Sequence, residues 1–96
     1  MLPEPWMQTD AGSELAAALL TELSKEVGPG HQLHGLTMGA FANCGACDDA
    51  IFQLEDGTWA LVHLTWAGRE EAEPFPWTSK VDTEADLEQL VADRTH

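Results

Sequence analysis

The sequence predicts an α+β fold: an N-terminal helix, a three- to four-stranded antiparallel meander, and a C-terminal helix. Three observations carry that prediction. Two runs of β-branched and aromatic residues, Ala50 to Leu54 and Trp59 to Trp66, flank a Glu55-Asp56-Gly57 turn, which is the pattern of a β-hairpin. Upstream, Leu15, Leu19, Leu23 and Val27 recur every four residues, widened by Ala16 and Leu20, as one face of a helix does. Downstream, Leu87, Leu90 and Val91 recur at helical spacing behind a capping residue, Asp82 or Thr83.

The hairpin has two candidate registers. A two-residue Asp-Gly loop would pair Glu55 with Thr58, whereas a type I turn with Gly57 as a bulge would pair Leu54 with Thr58. The apolar pattern chooses, because a one-residue slip sends a strand's side chains to the opposite face. In the bulged register Ala50, Phe52, Leu54, Ala60, Val62, Leu64 and Trp66 share one wholly apolar face. The other face carries Cys47, Asp49, Ile51 and Gln53 beside Trp59, Leu61, His63 and Thr65, with Asp49 opposite His63. That second face is too apolar for open water and too polar for a plain core, so a helix covers part of it or it binds something.

In chain order, residues 1–9 hold two prolines and read as an extended arm, ahead of a single domain over 10–96. The first helix spans Ser13 to Val27, capped by Asp10 or Ser13 and stopped by Gly28-Pro29-Gly30. Glu14, Glu22 and Glu26 fall largely on its solvent arc, and Lys25 suits the negative end of the helix dipole. The hairpin's apolar face is the natural surface for this helix to cover. Leu33 to Ala42 reads as a strand, with Gly39 marking a bulge. Asn43 to Cys47 turns the chain into the hairpin. Pro74 and Pro76 exclude a central strand after Trp66, and Trp77 to Val81 suits a short edge strand. Glu84, Asp86 and Glu88 lie in the first two turns of the last helix, which runs to about Asp93.

Composition narrows the function. Ninety-six residues with 44% hydrophobic content suit one folded domain that buries roughly 60–65% of its unfolded surface. Seventeen acids oppose four bases, giving a net charge of −13. With only Lys25, Arg69, Lys80 and Arg94 as bases, there is no basic stripe for a nucleic acid backbone or an anionic membrane. A surface this acidic suits solubility, a basic protein partner or imitation of a nucleic acid's charge. The N-terminus has no basic and apolar leader, and no run reaches the ~20 residues of a membrane span. Two cysteines without a leader suit a cytoplasmic protein with reduced thiols.

Three groups of residues could carry chemistry. Cys44-Gly45-Ala46-Cys47 is a C-x-x-C, but it lies between strands rather than at the helix N-terminus that activates redox thiols. With His31 and His34, Cys44 and Cys47 supply two imidazoles and two thiolates, a donor set that zinc accepts. The spacing is unconventional, so the expectation is no cofactor, with zinc as the alternative. Asp49 facing His63, with Thr65 next along that face, could orient and charge an imidazole for acid–base work. Asp48, Asp49, Trp59 and His63 are the candidate interaction residues, tryptophan being a common interface anchor.

The run from Asp48 to Trp66, together with Gly30-His31-Gln32-Leu33-His34-Gly35, resembles a group of small uncharacterised bacterial proteins with a DDxxFxLxDGxWAxVHLTW signature. Gln32 stands where that group carries proline. The resemblance covers roughly residues 30–66 and implies a compact α+β module without implying a reaction. Asp48, Asp49, His63 and Thr65 belong to the shared pattern, and the cysteines do not. The sequence thus favours a non-enzymatic protein-interaction module, the acidic partner of a basic protein. The alternative is a small enzyme using Asp49 and His63, or a domain supported by zinc at His31, His34, Cys44 and Cys47.

Overall fold

The computed structural model describes residues 2, 4–10, 12–45, 48–72 and 76–93. The elements are β1 (Trp6–Gln8), α1 (Glu14–Glu26), β2 (Met38–Cys44), β3 (Asp49–Leu54), β4 (Trp59–His63), β5 (Trp77–Val81) and α2 (Glu84–Asp93). The strands form one antiparallel sheet in the order β1-β2-β3-β4-β5. The α+β class and the meander agree with the sequence reading, but the sheet has five strands rather than three or four. The additional strand comes from the N-terminal arm. Trp6, Met7 and Gln8 pair with Cys44, Asn43 and Ala42, and the pairing is extended by Thr9 N–H donating to the Phe41 carbonyl.

The β3–β4 hairpin adopts the bulged register. Leu54 N–H donates to the Thr58 carbonyl and Gly57 N–H to the Leu54 carbonyl. Gly57 sits at φ +89°, a conformation that side chains with a Cβ resist. Asp56 Oδ1 accepts from the Thr58 N–H and hydroxyl at 2.9 and 2.6 Å, which draws Asp56 below its ordinary pKa and closes the turn. Asp49 consequently pairs with His63, Ala50 with Val62 and Phe52 with Ala60.

Each face of the sheet has its own core. On one face Ala50, Phe52, Leu54, Ala60, Val62 and Leu64 are buried with Leu19 and Leu23 of α1 and Leu33 of the following loop. On the other, Ile51, Trp59 and Leu61 are buried with Leu87 and Val91 of α2 and with Trp6, Ala42 and Cys44. The second face is therefore a core covered by a helix. The Ser13 hydroxyl caps α1 by accepting from Ala16 N–H, and Thr83 does the same for Asp86 N–H at α2.

Strand β2 serves both cores because it is bulged. Ala40 pairs with Phe52 and Ala42 with Ile51, leaving Phe41 as the extra residue. Met38 and Ala40 pack toward α1, whereas Phe41, Ala42 and Cys44 pack toward α2. The bulge lies two residues beyond Gly39, where the sequence suggested one. Thr9 anchors it, its hydroxyl donating to the Ala40 carbonyl while its N–H donates to that of Phe41.

Other boundaries also differ from the reading. Residues 31–35 form turns rather than the start of a strand, with His34 N–H bonded to the His31 carbonyl and Leu36 N–H to that of Leu33. Gly35, at φ +76°, permits the reversal. Strand β4 ends at His63 instead of Trp66, and Leu15 is exposed despite its place in the α1 stripe.

Candidate functional site

Two arrangements stand out where β4 ends. The first is the cross-strand pair the register demands. His63 Nδ1 donates to Asp49 Oδ1 at 2.7 Å. The Asp49 side chain is fully buried and that of His63 is 48% exposed. A buried carboxylate orients a half-exposed imidazole, and among the described residues the ring's Nε2 has no hydrogen-bond partner. Such a geometry can hold or pass a proton. Trp77, exposed, is the residue paired with His63 on β5.

The second arrangement was not expected. Glu26, read as a solvent-facing residue of α1, is completely buried, and Glu22, one turn earlier, nearly so. Glu26 Oε1 accepts the Thr65 N–H at 2.8 Å and Oε2 the Trp66 N–H at 2.9 Å. Glu22 Oε2 accepts the Gly68 N–H at 3.0 Å. The Glu71 N–H donates to the Glu26 carbonyl, and the Thr65 hydroxyl donates to Glu71 Oε1. The C-terminal turn of α1 thus holds the chain from Thr65 to Glu71.

The two carboxyl groups lie one helical turn apart and act on each other. Burial pushes Glu26 above its ordinary value, and the Glu22 carboxyl pushes the same way, against the Thr65 and Trp66 N–H groups. The Glu26 carboxyl in turn holds Glu22 below its ordinary value, aided by the Gly68 N–H and the Lys25 charge and opposed by burial. Two adjacent carboxylates repel, so ionisation of one opposes ionisation of the other.

This clamp fixes Trp66 in an unusual state. Trp66 has φ +57°, the one non-glycine residue with positive φ among those described, and is 45% exposed. A β-carbon in the left-handed region is strained, and such strain persists where surrounding contacts impose it. The correction to the sequence reading is twofold: Trp66 leaves the apolar face of the hairpin, and the clamp presents its indole outward.

The remaining candidates separate. Thr65 is occupied in the clamp, its hydroxyl also accepting from Ala67 N–H, and does not join Asp49 and His63. Trp59 is buried, with Phe41 edge-on at a centroid distance of 4.7 Å, so it packs the core. Asp48 is exposed beside the buried Asp49. His31 is buried on the α1 side, accepting from Leu33 N–H at Nδ1 and donating from Nε2 to the Pro76 carbonyl at 2.9 Å, with the Thr78 hydroxyl beside it. Both of its ring nitrogens are engaged. Cys44 is buried on the opposite face and His34 is exposed, while Cys47 lies outside the described residues. The structure does not bring His31 and Cys44 together, because the sheet stands between them. Among the described residues no three His, Cys, Asp or Glu side chains converge in a metal-holding group, and no helix is long and apolar enough to cross a membrane.

The spacing carried a signal for the clamp. Glu26 lies seven residues beyond Leu19 and three beyond Leu23, on the buried stripe by helical geometry. Classifying it by charge alone hid that position. No family model, curated protein or solved structure matches this chain.

Proposed function

We propose that this chain is a small, acidic, non-enzymatic interaction module of the cytoplasm whose partner is a basic protein. One observation supports the reading above others. A buried carboxyl pair holds an exposed tryptophan in a strained backbone state, an arrangement that packing alone does not require. Tryptophan anchors dominate many interfaces, and Trp77, also exposed, follows in the next strand. The net charge of −13 adds long-range attraction for a basic partner.

The test is capture from a lysate of the source organism on immobilised wild-type protein and on Trp66→Ala. The reading expects a basic protein retained by the wild type, released by salt and lost with the variant. Identical capture by both proteins would sink it.

A second reading, a small acid–base enzyme, draws on the 2.7 Å Asp49–His63 bond and the half-exposed imidazole. Loss of a measurable turnover in His63→Gln, with the fold intact, would favour it.

A further inference from the structure

Strand β5 is one edge of the sheet, and its register fixes where its main-chain groups point. In an antiparallel pair, residues that exchange both backbone bonds alternate with residues that exchange none. Leu54 N–H donates to the Thr58 carbonyl and Leu64 N–H to that of Asp48, so the even-numbered residues of β4 turn their N–H and carbonyl groups toward β3. The odd-numbered Trp59, Leu61 and His63 turn theirs toward β5, where they meet Val81, Ser79 and Trp77. The alternate residues of β5, Thr78 and Lys80, therefore direct one N–H and one carbonyl each away from the sheet. No other described residue bonds to those four groups.

This edge starts at a defined point and is not blunted. The Pro76 carbonyl just before it is taken by His31 Nε2 and the Thr78 hydroxyl, so the free stretch begins at Thr78. Sheets protect such edges with proline, a bulge, shortness or an outward charge. Strand β5 contains no proline and pairs with β4 without a bulge. Its one charge, Lys80, lies beside Asp56 at the hairpin turn. The opposite edge is the three-residue β1, directly preceded by Pro5, and is short in the protective way.

A free edge of this kind accepts an extended segment as a further strand, held through its main chain. A second copy of the chain is the natural competitor, but each copy brings a charge of −13, and like charges at the contact oppose pairing. A segment of a basic protein is drawn by the same field. Position agrees with that choice. Trp77 begins β5 and Trp66 follows the end of β4 opposite it, so both exposed indoles stand at the Thr78 end of the edge.

We propose that the basic partner docks by adding an extended segment to the free edge of β5, its main chain pairing with Thr78 and Lys80. The proposal rests on the basic-partner reading above and adds to it the mode of attachment.

The experiment is amide hydrogen exchange followed by NMR on the full, isotope-labelled chain at low salt, with short capped peptides as probes. One alternates lysine and valine, another is the same peptide N-methylated at every peptide nitrogen, and a third has glutamate in place of lysine. In the free chain the Thr78 and Lys80 amides should exchange fast beside a protected Ser79. The lysine–valine peptide is expected to protect and shift both amides saturably, and the other two peptides to leave them unchanged. Lys80→Pro removes an outward donor and spares the bonds to β4, so it should bind roughly tenfold more weakly, the scale of one main-chain bond. Lys80→Gln should bind at least as well as the wild type. If Lys80→Pro does not fold, the methylated peptide decides alone. The proposal is overturned if the methylated or the glutamate peptide protects the two amides equally, or if Lys80→Pro folds and binds undiminished. It is also overturned if both amides are protected without peptide, as self-pairing of the chain would make them. Failure here with Trp66-dependent capture retained refutes the edge and spares the partner. Protection here with capture unaffected by Trp66→Ala refutes the interface role of Trp66 instead.

Discussion

Asp49 and His63 face each other across β3 and β4, with 2.7 Å between Oδ1 and Nδ1. The acceptor is buried and the donor ring half exposed, so the carboxylate selects the tautomer with its proton on Nδ1. Asp49→Asn should relax that preference, and nitrogen chemical shifts of the imidazole should record a larger fraction of the other tautomer. The same variant should lose about 1–3 kcal/mol of stability, the cost of weakening a buried charge-assisted bond. An unchanged tautomer ratio would show that the two rows of the hairpin do not meet in solution.

The Glu22–Glu26 pair predicts an unusual pH profile. Glu26 is raised above the ordinary value of 4.5. Its contribution to stability is complete below that value and is lost as pH rises through its folded pKa. Glu22 is lowered from 4.5, so its contribution is present above that value and lost as pH falls through its folded pKa. The pair therefore contributes most around 4.5 and less on either side. Besides burial and each other, Lys25, the Thr65 hydroxyl and the Thr65, Trp66 and Gly68 N–H groups set these directions. In Glu26→Gln the acid is replaced by a permanently neutral amide whose NH2 opposes one of the two N–H donors. Denaturant melts should show the gap between wild type and variant widest near 4.5 and narrowing as pH rises. A gap that stays constant with pH would mean that Glu26 binds its proton equally well in the folded and unfolded chain.

Trp66 offers a test of strain separate from binding. Glycine tolerates φ +57° without the Cβ penalty, whereas alanine keeps it. Trp66→Gly should therefore melt above Trp66→Ala, by about 1 kcal/mol of stability, and both should lose the partner. If alanine proves the more stable of the two, the left-handed conformation is not held in solution.

Phe52 and Val62 are both fully buried on the α1 side. Phe52→Ala should cost ~3–5 kcal/mol through the cavity it leaves, a large share of the stability of a small domain. Val62→Asp should leave little folded protein, since a charge without a partner would be buried there. A wild-type melting curve for either variant would place the wrong side of the hairpin in the core.

The hairpin could be read from the sequence because several constraints coincide there. Gly57 fixes the turn, alternation fixes the face, and each agrees with the other. From these two the Asp49–His63 pairing follows without further information. The helices were legible from their stripes and caps for the same reason. Strand β1 was not, because three residues beside two prolines have no period to detect, and their pairing depends on an edge that forms only when β2 folds. The bulge at Phe41 depends on which core each flanking residue joins, and local sequence does not record that. The clamp was hidden differently. Its acceptors lie on α1 and its donors on a loop about 40 residues later, joined by backbone N–H groups that carry no side-chain signature.

The bulge in β2 makes that strand a change of parity. Before Phe41 the even-numbered residues Met38 and Ala40 belong to the α1 core, and after it the even-numbered Ala42 and Cys44 belong to the α2 core. A continuous strand would commit all four to one side, leaving the other short of the small residues against which Trp6 and Trp59 pack. Forcing Phe41 into regular alternation would therefore exchange inside for outside over the whole second half of the strand and over β1, which takes its register from it. Deletion at this position leaves Ala40 opposite Phe52 and Ala42 opposite Ile51, whereas drawing Phe41 into the ladder rewrites the assignment of an entire sheet edge.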